Sequence, residues 1–291
     1  MAVTVILGLL AVMGVAFFIF HTKDALPHVK EEKGGAIPAF IIGAITNFFD
    51  TLGIGSFAPT TAALKWTKLI DERVLPGTLN VSFAVPVMIQ AMVFITEVNV
   101  DILTLVLLIA ASVVGSYVGA GIMSKLPKKP VKMIMGGALL IIACLLAAGE
   151  LGYIASLGTG EAIGLDGVKL VVGVAIFFVL GALMSAGVGL YAPAMATVYL
   201  LGMSPLVAFP IMMGACAFLM PVGSFKFIRE KAYAQKISWF LMLGAIPGVL
   251  VACFLVTSLP LSMLKWLVIA VVTITGFIML YEGTKMKTAS E

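Results

Sequence analysis

The sequence predicts an all-α integral membrane protein, built as one leading helix followed by two inverted-topology repeats. Each repeat holds a broken or re-entrant helix pair and three transmembrane helices. Three observations carry this prediction. Of 291 residues, 62% are hydrophobic and 11% charged, where a soluble domain carries about 25% charged residues. The charges are segregated. Met1–Phe20, Val74–Thr96, Ile102–Ser124 and Leu170–Phe225 contain none, and Gly34–Leu64 contains only Asp50. Finally, a Gly-x-Gly motif followed by proline occurs twice, as "GIGSFAP" from Gly53 and "GVGLYAP" from Gly187. A spanning helix needs about 20 apolar residues. A β-barrel would show alternating segments of about ten residues, and these do not alternate.

The elements follow in order. Residues 1–20 lack a basic n-region and exceed a typical signal h-region, so they read as a retained leading transmembrane helix. Membrane repeat one, 35–148, reads as a broken segment at 35–64 and helices at 74–96, 102–124 and 131–148. A Gly-rich, acidic link at 149–168 follows and is expected outside the cell. Membrane repeat two, 169–282, reads as a broken segment at 169–200 and helices at 204–225, 237–257 and 262–281. The whole is one membrane domain. Gly53, Gly55, Ala58 and Pro59 recur 134 residues later as Gly187, Gly189, Ala192 and Pro193, and Pro76 recurs as Pro210. At an offset of 133, Gly115 matches Gly248 and Lys132 matches Lys265. Gly115-x-x-x-Gly119 and Gly244-x-x-x-Gly248 are expected to let helices approach closely. Cys144, Cys216 and Cys253 lie in apolar segments, share no short spacing, and read as buried, inert thiols.

Loop charge gives orientation, because Lys and Arg favour the cytoplasmic side. Equivalent loops of the two copies carry opposite charge. Lys65, Lys68 and Arg73 face an uncharged "LLGMSP", and an unbasic "TEVNVD" faces Lys226, Arg229, Lys231 and Lys236. If each broken segment returns to its own side, the basic loops at 21–33, 65–73, 125–132, 226–236 and 285–287 all lie inside. The N-terminus is then outside and the C-terminus cytoplasmic. Broken helices at membrane depth must be buried or line a cavity. In transporters built from inverted repeats such breaks form the site near the midplane. The site is therefore expected between the two broken helices. Glycine permits the turn and a close backbone approach, and proline suits the first turn of the returning half-helix. Two helix N-termini there favour an anion.

Candidate substrate-binding residues are Asn47, Thr51, Gly53, Gly55, Ser56, Asn80 and Gln90 in copy one, and Ser185, Gly187, Gly189, Tyr191 and Lys226 in copy two. Thr60 and Thr61 add polar groups beside the first break. Lys226 follows the long uncharged run and is the candidate fixed positive charge, with snorkelling to the surface as its alternative fate. Asp50 is the candidate proton-coupling group, since an ionisable residue inside a span faces a cavity or a partner. Its alternative role is to cap a half-helix beginning near Thr51. Met184 takes its place in copy two.

At these motifs the chain resembles the sulfite exporter TauE/SafE family of membrane permeases, whose two halves each carry a "G-[IV]-G-G"-type motif soon followed by proline. The resemblance runs over about 36–282, with Ser56 and Leu190 in place of a common third glycine. It implies transport of sulfite, an organosulfonate or a related sulfur-containing anion across a prokaryotic cytoplasmic membrane. The reading is a secondary transporter, proton-coupled, with a small anionic substrate, protons and the lipid bilayer as partners and no nucleic acid. An anion channel, or a transporter of small carboxylates, fits the same scaffold, and a homodimer is left open. No ATP-binding signature is present. No cofactor or metal is expected, and no Cys/His cluster or nucleophile–base pair marks an enzyme.

Overall fold

The computed structural model describes residues 2–31, 35–71, 73–123, 128–152, 161–185 and 190–285. Its helices are α1 (Ala2–Glu31), α2 (Ala36–Thr51), α3 (Phe57–Thr67), α4 (Leu75–Glu97), α5 (Ile102–Met123) and α6 (Lys128–Glu150). They continue with α7 (Gly167–Ser185), α8 (Tyr191–Leu200), α9 (Ala208–Arg229), α10 (Gln235–Ser258) and α11 (Leu261–Lys285). A single 3₁₀ turn at Pro205–Val207 leads into α9. Among the described residues there is no strand, only an isolated bridge between Ala162 and Met203. Among the described residues, seven helices are long and apolar enough to cross a membrane. This is a multi-pass membrane protein.

Both broken segments break. The first stops at Thr51 and resumes at Phe57; the second stops at Ser185 and resumes at Tyr191. Phe57 and Tyr191 are 134 residues apart, so α3 and α8 start at the same point of the motif, with Pro59 and Pro193 in their first turns. Two expectations need correction. The leading helix does not end near Phe20 but runs to Glu31, through Pro27. His21 and Asp24 find partners there on α10 and the loop before it, so polar residues stay helical. Cys144 is exposed rather than buried, whereas Cys216 and Cys253 are buried. Parts of the predicted loops, including Lys125, residues 153–160 of the link and Lys287, lie outside the described residues.

The chain folds into two compact units, Met1–Glu97 with Cys216–Thr257, and Val98–Ala215 with Ser258–Glu291. Neither coincides with 35–148 or 169–282; each draws on both stretches. In the first unit α2 lies against α10 with no room for side chains. A methyl group on Gly43 would overlap the Leu241 carbonyl, one on Gly244 that of Phe40, and one on Gly248 that of Ala44. In the second unit α5 lies against α7 in the same way, Gly115 against the Phe178 carbonyl and Gly181 against that of Ser112. Such backbone approach is how helices associate where lipid removes the hydrophobic drive. Also in the second unit, α6 and α11 run together through Gly136 and Gly276. They are tied near one end by the Lys132–Glu282 ion pair and near the other by Lys265–Glu150, at 3.0 Å.

Gly248→Leu is expected to cost at least about 1–3 kcal/mol through overpacking against backbone, read as a fall in thermal unfolding temperature in detergent. Gly137→Ala, whose new methyl meets nothing within 4 Å, is expected to leave that temperature unchanged or raise it, by up to about 1 kcal/mol of stability.

Candidate functional site

The first break lies wholly within the first unit. Gly53 and Gly55 adopt φ of 96° and 91°, where side chains are strained and glycine is not. Gly53 N–H donates to Asp50 O at 2.8 Å, and Ile54 N–H to Phe49 O at 3.2 Å. These two bonds form a Schellman closure and satisfy carbonyls at the end of α2. On the far side, Ser56 is the first flanking residue of α3 and its hydroxyl makes no cap. Its backbone N–H donates instead to Asp50 Oδ1 at 2.6 Å. Asp50 thus holds both sides of the break, its carbonyl closing α2 and its carboxylate receiving the start of α3. The half-helix begins at Phe57 rather than near Thr51, so Asp50 acts across the break and not as its own helix's N-cap.

Asp50 is nearly fully buried, and α4 supplies a further donor. Gln90 Nε2 donates to Asp50 Oδ2 at 3.0 Å and to Thr51 Oγ1 at 2.9 Å. Thr51 donates in turn to Asn47 O at 2.8 Å, and Asn47 Nδ2 to Gly43 O at 3.1 Å. Thr60 Oγ1 donates to Thr46 Oγ1 at 2.8 Å, tying α3 to α2. Two buried oxygens of this cluster, Asn47 Oδ1 and Gln90 Oε1, have no hydrogen-bond partner, and neither does Ser224 Oγ on α9.

Of the four N–H groups that open a helix, none has an acceptor within it. Here Ser56 gives its own to Asp50, and Pro59 has none to give. Phe57 and Ala58 are left as donors, both exposed, beside a Gly55 whose missing side chain leaves open space. The arrangement offers two backbone donors and the positive end of a helix at an accessible point, with a buried carboxylate bonded to the same end.

The structure thus brings together Asn47, Asp50, Thr51, Gly53, Gly55, Ser56, Thr60 and Gln90. Asn80 is half-buried on α4 and bonds its own helix, Nδ2 donating to Pro76 O at 2.9 Å. Thr61 is half-buried on α3. Lys226 is exposed in the last turn of α9, 4.0 Å from Glu230. In the second unit Tyr191 is half-buried at the start of α8, and Ser185 closes α7. Gly187 and Gly189 lie outside the described residues. Sequence reasoning missed Thr46, although it lies four residues before Asp50 and so shares its helix face. It also missed the Glu150 carboxylate of the second unit, which receives both Lys265 and the Tyr199 hydroxyl of α8.

The helices define a class, a polytopic helical membrane protein. The chain matches the family described as Sulfite exporter TauE/SafE over residues 1–146, half of its length, and it belongs to that family of membrane transporters. No curated protein and no solved structure matches it significantly.

Gln90→Leu is expected to destabilise the fold by about 1–3 kcal/mol, because it removes a donor from a buried carboxylate. Chemical unfolding in detergent measures this, and Asn80→Leu, which removes a donor to its own helix alone, is expected to cost less.

Proposed function

We propose that the protein is a secondary transporter of a small anion, sulfite or an organosulfonate, coupled to protons through Asp50. The observation that carries this is the sharing of one helix N-terminus between a carboxylate and an accessible opening. The positive end of α3 attracts an anion, which takes the Phe57 and Ala58 N–H groups. Ionised Asp50 occupies the neighbouring Ser56 N–H and places a negative charge at the same end. Protonation removes that charge, so proton and anion binding favour one another, which is the thermodynamic requirement of symport. A channel would need no such linkage.

The inverted repeat supports alternating access by two related halves. Gly115 packs on the carbonyl of Phe178, and Gly248 on that of Ala44. The first residues of these pairs are 133 apart and the second 134, so one contact is the counterpart of the other with the copies exchanged. Lys132–Glu282 and Lys265–Glu150 are related likewise, by 133 and 132. In this reading α2–α3 returns to its own side, the basic loops share the cytoplasmic face, and the N-terminus is outside.

In proteoliposomes, sulfite uptake against a gradient is expected to require a proton gradient, and wild-type affinity to rise as pH falls. Asp50→Asn mimics the protonated form. It is expected to bind sulfite with pH-independent affinity and to lose proton-driven accumulation; accumulation that still follows the proton gradient would remove Asp50 from the coupling. For orientation, Lys68→Cys and Arg229→Cys are expected to react with an impermeant maleimide from the same face of the membrane. Labelling from opposite faces would end the inverted-repeat reading.

A further inference from the structure

Two helices of the first unit close on a lysine in a place that suits glycine. At the end of α3, Lys68 N–H donates to Lys65 O and Leu69 N–H to Leu64 O, both at 3.3 Å. At the end of α9, Lys231 N–H donates to Ile228 O at 3.2 Å and Ala232 N–H to Phe227 O at 3.0 Å. Each pair is a Schellman closure, which turns the residue after the helix into the left-handed region. Lys68 has φ of 53° and Lys231 of 54°, and among the described residues no other residue except glycine has positive φ. A side chain is disfavoured there.

The second copy shows the same closure without that strain. At the end of α8, Gly202 N–H donates to Tyr199 O and Met203 N–H to Val198 O, with Gly202 at φ of 93°. Gly202 lies 134 residues after Lys68, so the repeat sets a glycine and a lysine at one position. The lysine in copy one therefore answers to something other than the turn. For Lys231 the structure shows what that is, since it pairs with Asp24 of α1. Lys68 is exposed, and among the described residues no carboxylate meets it. Its neighbour Trp66 is 89% exposed. Of the 11 residues of α3 only Thr60 and Leu64 are buried.

The same end of the unit carries further exposed cations. A side chain on Gly35 would meet Leu69 and Ile237, and one on Gly77 the Ala232 backbone. The start of α2, the loop after α3, the start of α4 and the loop after α9 are thus together, and Lys231–Asp24 adds the end of α1. Lys23, Arg73 and Arg229 are exposed there. Asp71 and Glu230 lie on the same face, the second 4.0 Å from Lys226.

We propose that this face binds anionic phospholipid, with Lys68 on the headgroup and the Trp66 ring at the boundary between headgroups and hydrocarbon. Tryptophan collects at that boundary because its ring is apolar and carries one N–H donor. Lysine is drawn to an anionic leaflet by charge. A zwitterionic headgroup offers the same phosphate but adds a cation of its own, which Lys68 repels. The lengths agree. With 11 residues α3 is about 16 Å long, about half of a hydrocarbon core of about 30 Å, so a helix that begins near the midplane ends at the headgroups. The lipid offsets the strain at Lys68 as Asp24 does at Lys231, and it holds the end of α3 remote from the break.

The test reconstitutes the full chain in phosphatidylcholine vesicles that contain brominated phosphatidylglycerol or brominated phosphatidylcholine. Bromine quenches tryptophan fluorescence on contact, and the signal lost in Trp66→Phe is that of Trp66. Phosphatidylglycerol is expected to be preferred at Trp66 by at least about fivefold, and Lys68→Gly to lower the preference by about fivefold, the share of one basic side chain at an anionic surface. Lys68→Arg is expected to keep it. In phosphatidylcholine alone, Lys68→Gly is expected to raise the unfolding temperature, because glycine adopts this conformation without strain. Equal quenching of the wild type by the two lipids overturns the proposal, as does a preference that Lys68→Gly leaves intact. An unfolding temperature that falls in Lys68→Gly overturns it too, since Lys68 would then serve the fold. None of these measurements involves transport, so they leave the Asp50 reading untouched.

Discussion

A helix that stops within a bilayer leaves carbonyl and N–H groups that lipid cannot bond, each worth several kcal/mol if left unmet. The first break of this protein is organised around meeting them inside a single unit. The Schellman closure at Gly53 takes up carbonyls of α2, and the Asp50 carboxylate takes the Ser56 N–H of α3. Pro59 removes another donor by having none. What is left over is the pair of Phe57 and Ala58 N–H groups, beside the open space at Gly55, the site proposed above for the anion. The same economy that lets the break exist therefore defines its chemistry. The carboxylate that receives the start of α3 is also the charge that, in the proposed mechanism, competes with an anion for it.

The second constraint is backbone contact between helices. α2 on α10 and α5 on α7 meet at glycines that admit no methyl group, so the helix before each break is held against a longer helix. This supports a half-helix of only 16 residues, α2, which is short for a span and would tilt or slip in lipid alone. Position of the break, and hence of Asp50, follows from where Gly43, Gly244 and Gly248 allow α2 to rest.

Much of this was legible in the residues. Charge segregation located the helices, and the Gly-x-Gly…Pro motifs located both breaks and the start of α3 and α8. Asp50, Thr51, Ser56 and Gln90 were selected because polar groups in an apolar span need a reason, and the fold gathers them around one carboxylate. The polar end of α1 was not legible. His21 and Asp24 looked like the start of a loop because their partners, Ser238 and Tyr233, lie more than two hundred residues away in sequence. For the same reason Cys144 looked buried: an apolar helix does not say which of its faces meets lipid. Lys226 looked deep because it closes a long uncharged run, but the last turn of α9 carries it to an exposed position beside Glu230.

The contacts that complete each unit join early helices to late ones. α2 rests on α10, α5 on α7, and α6 is clasped by α11. A nascent chain that has reached Glu150 therefore carries Gly43 of α2 without the Leu241 backbone it packs on, and Lys132 without Glu282. Its early helices lack these contacts until α10 and α11 have been made. A product truncated before α10 would lack helices that complete both units.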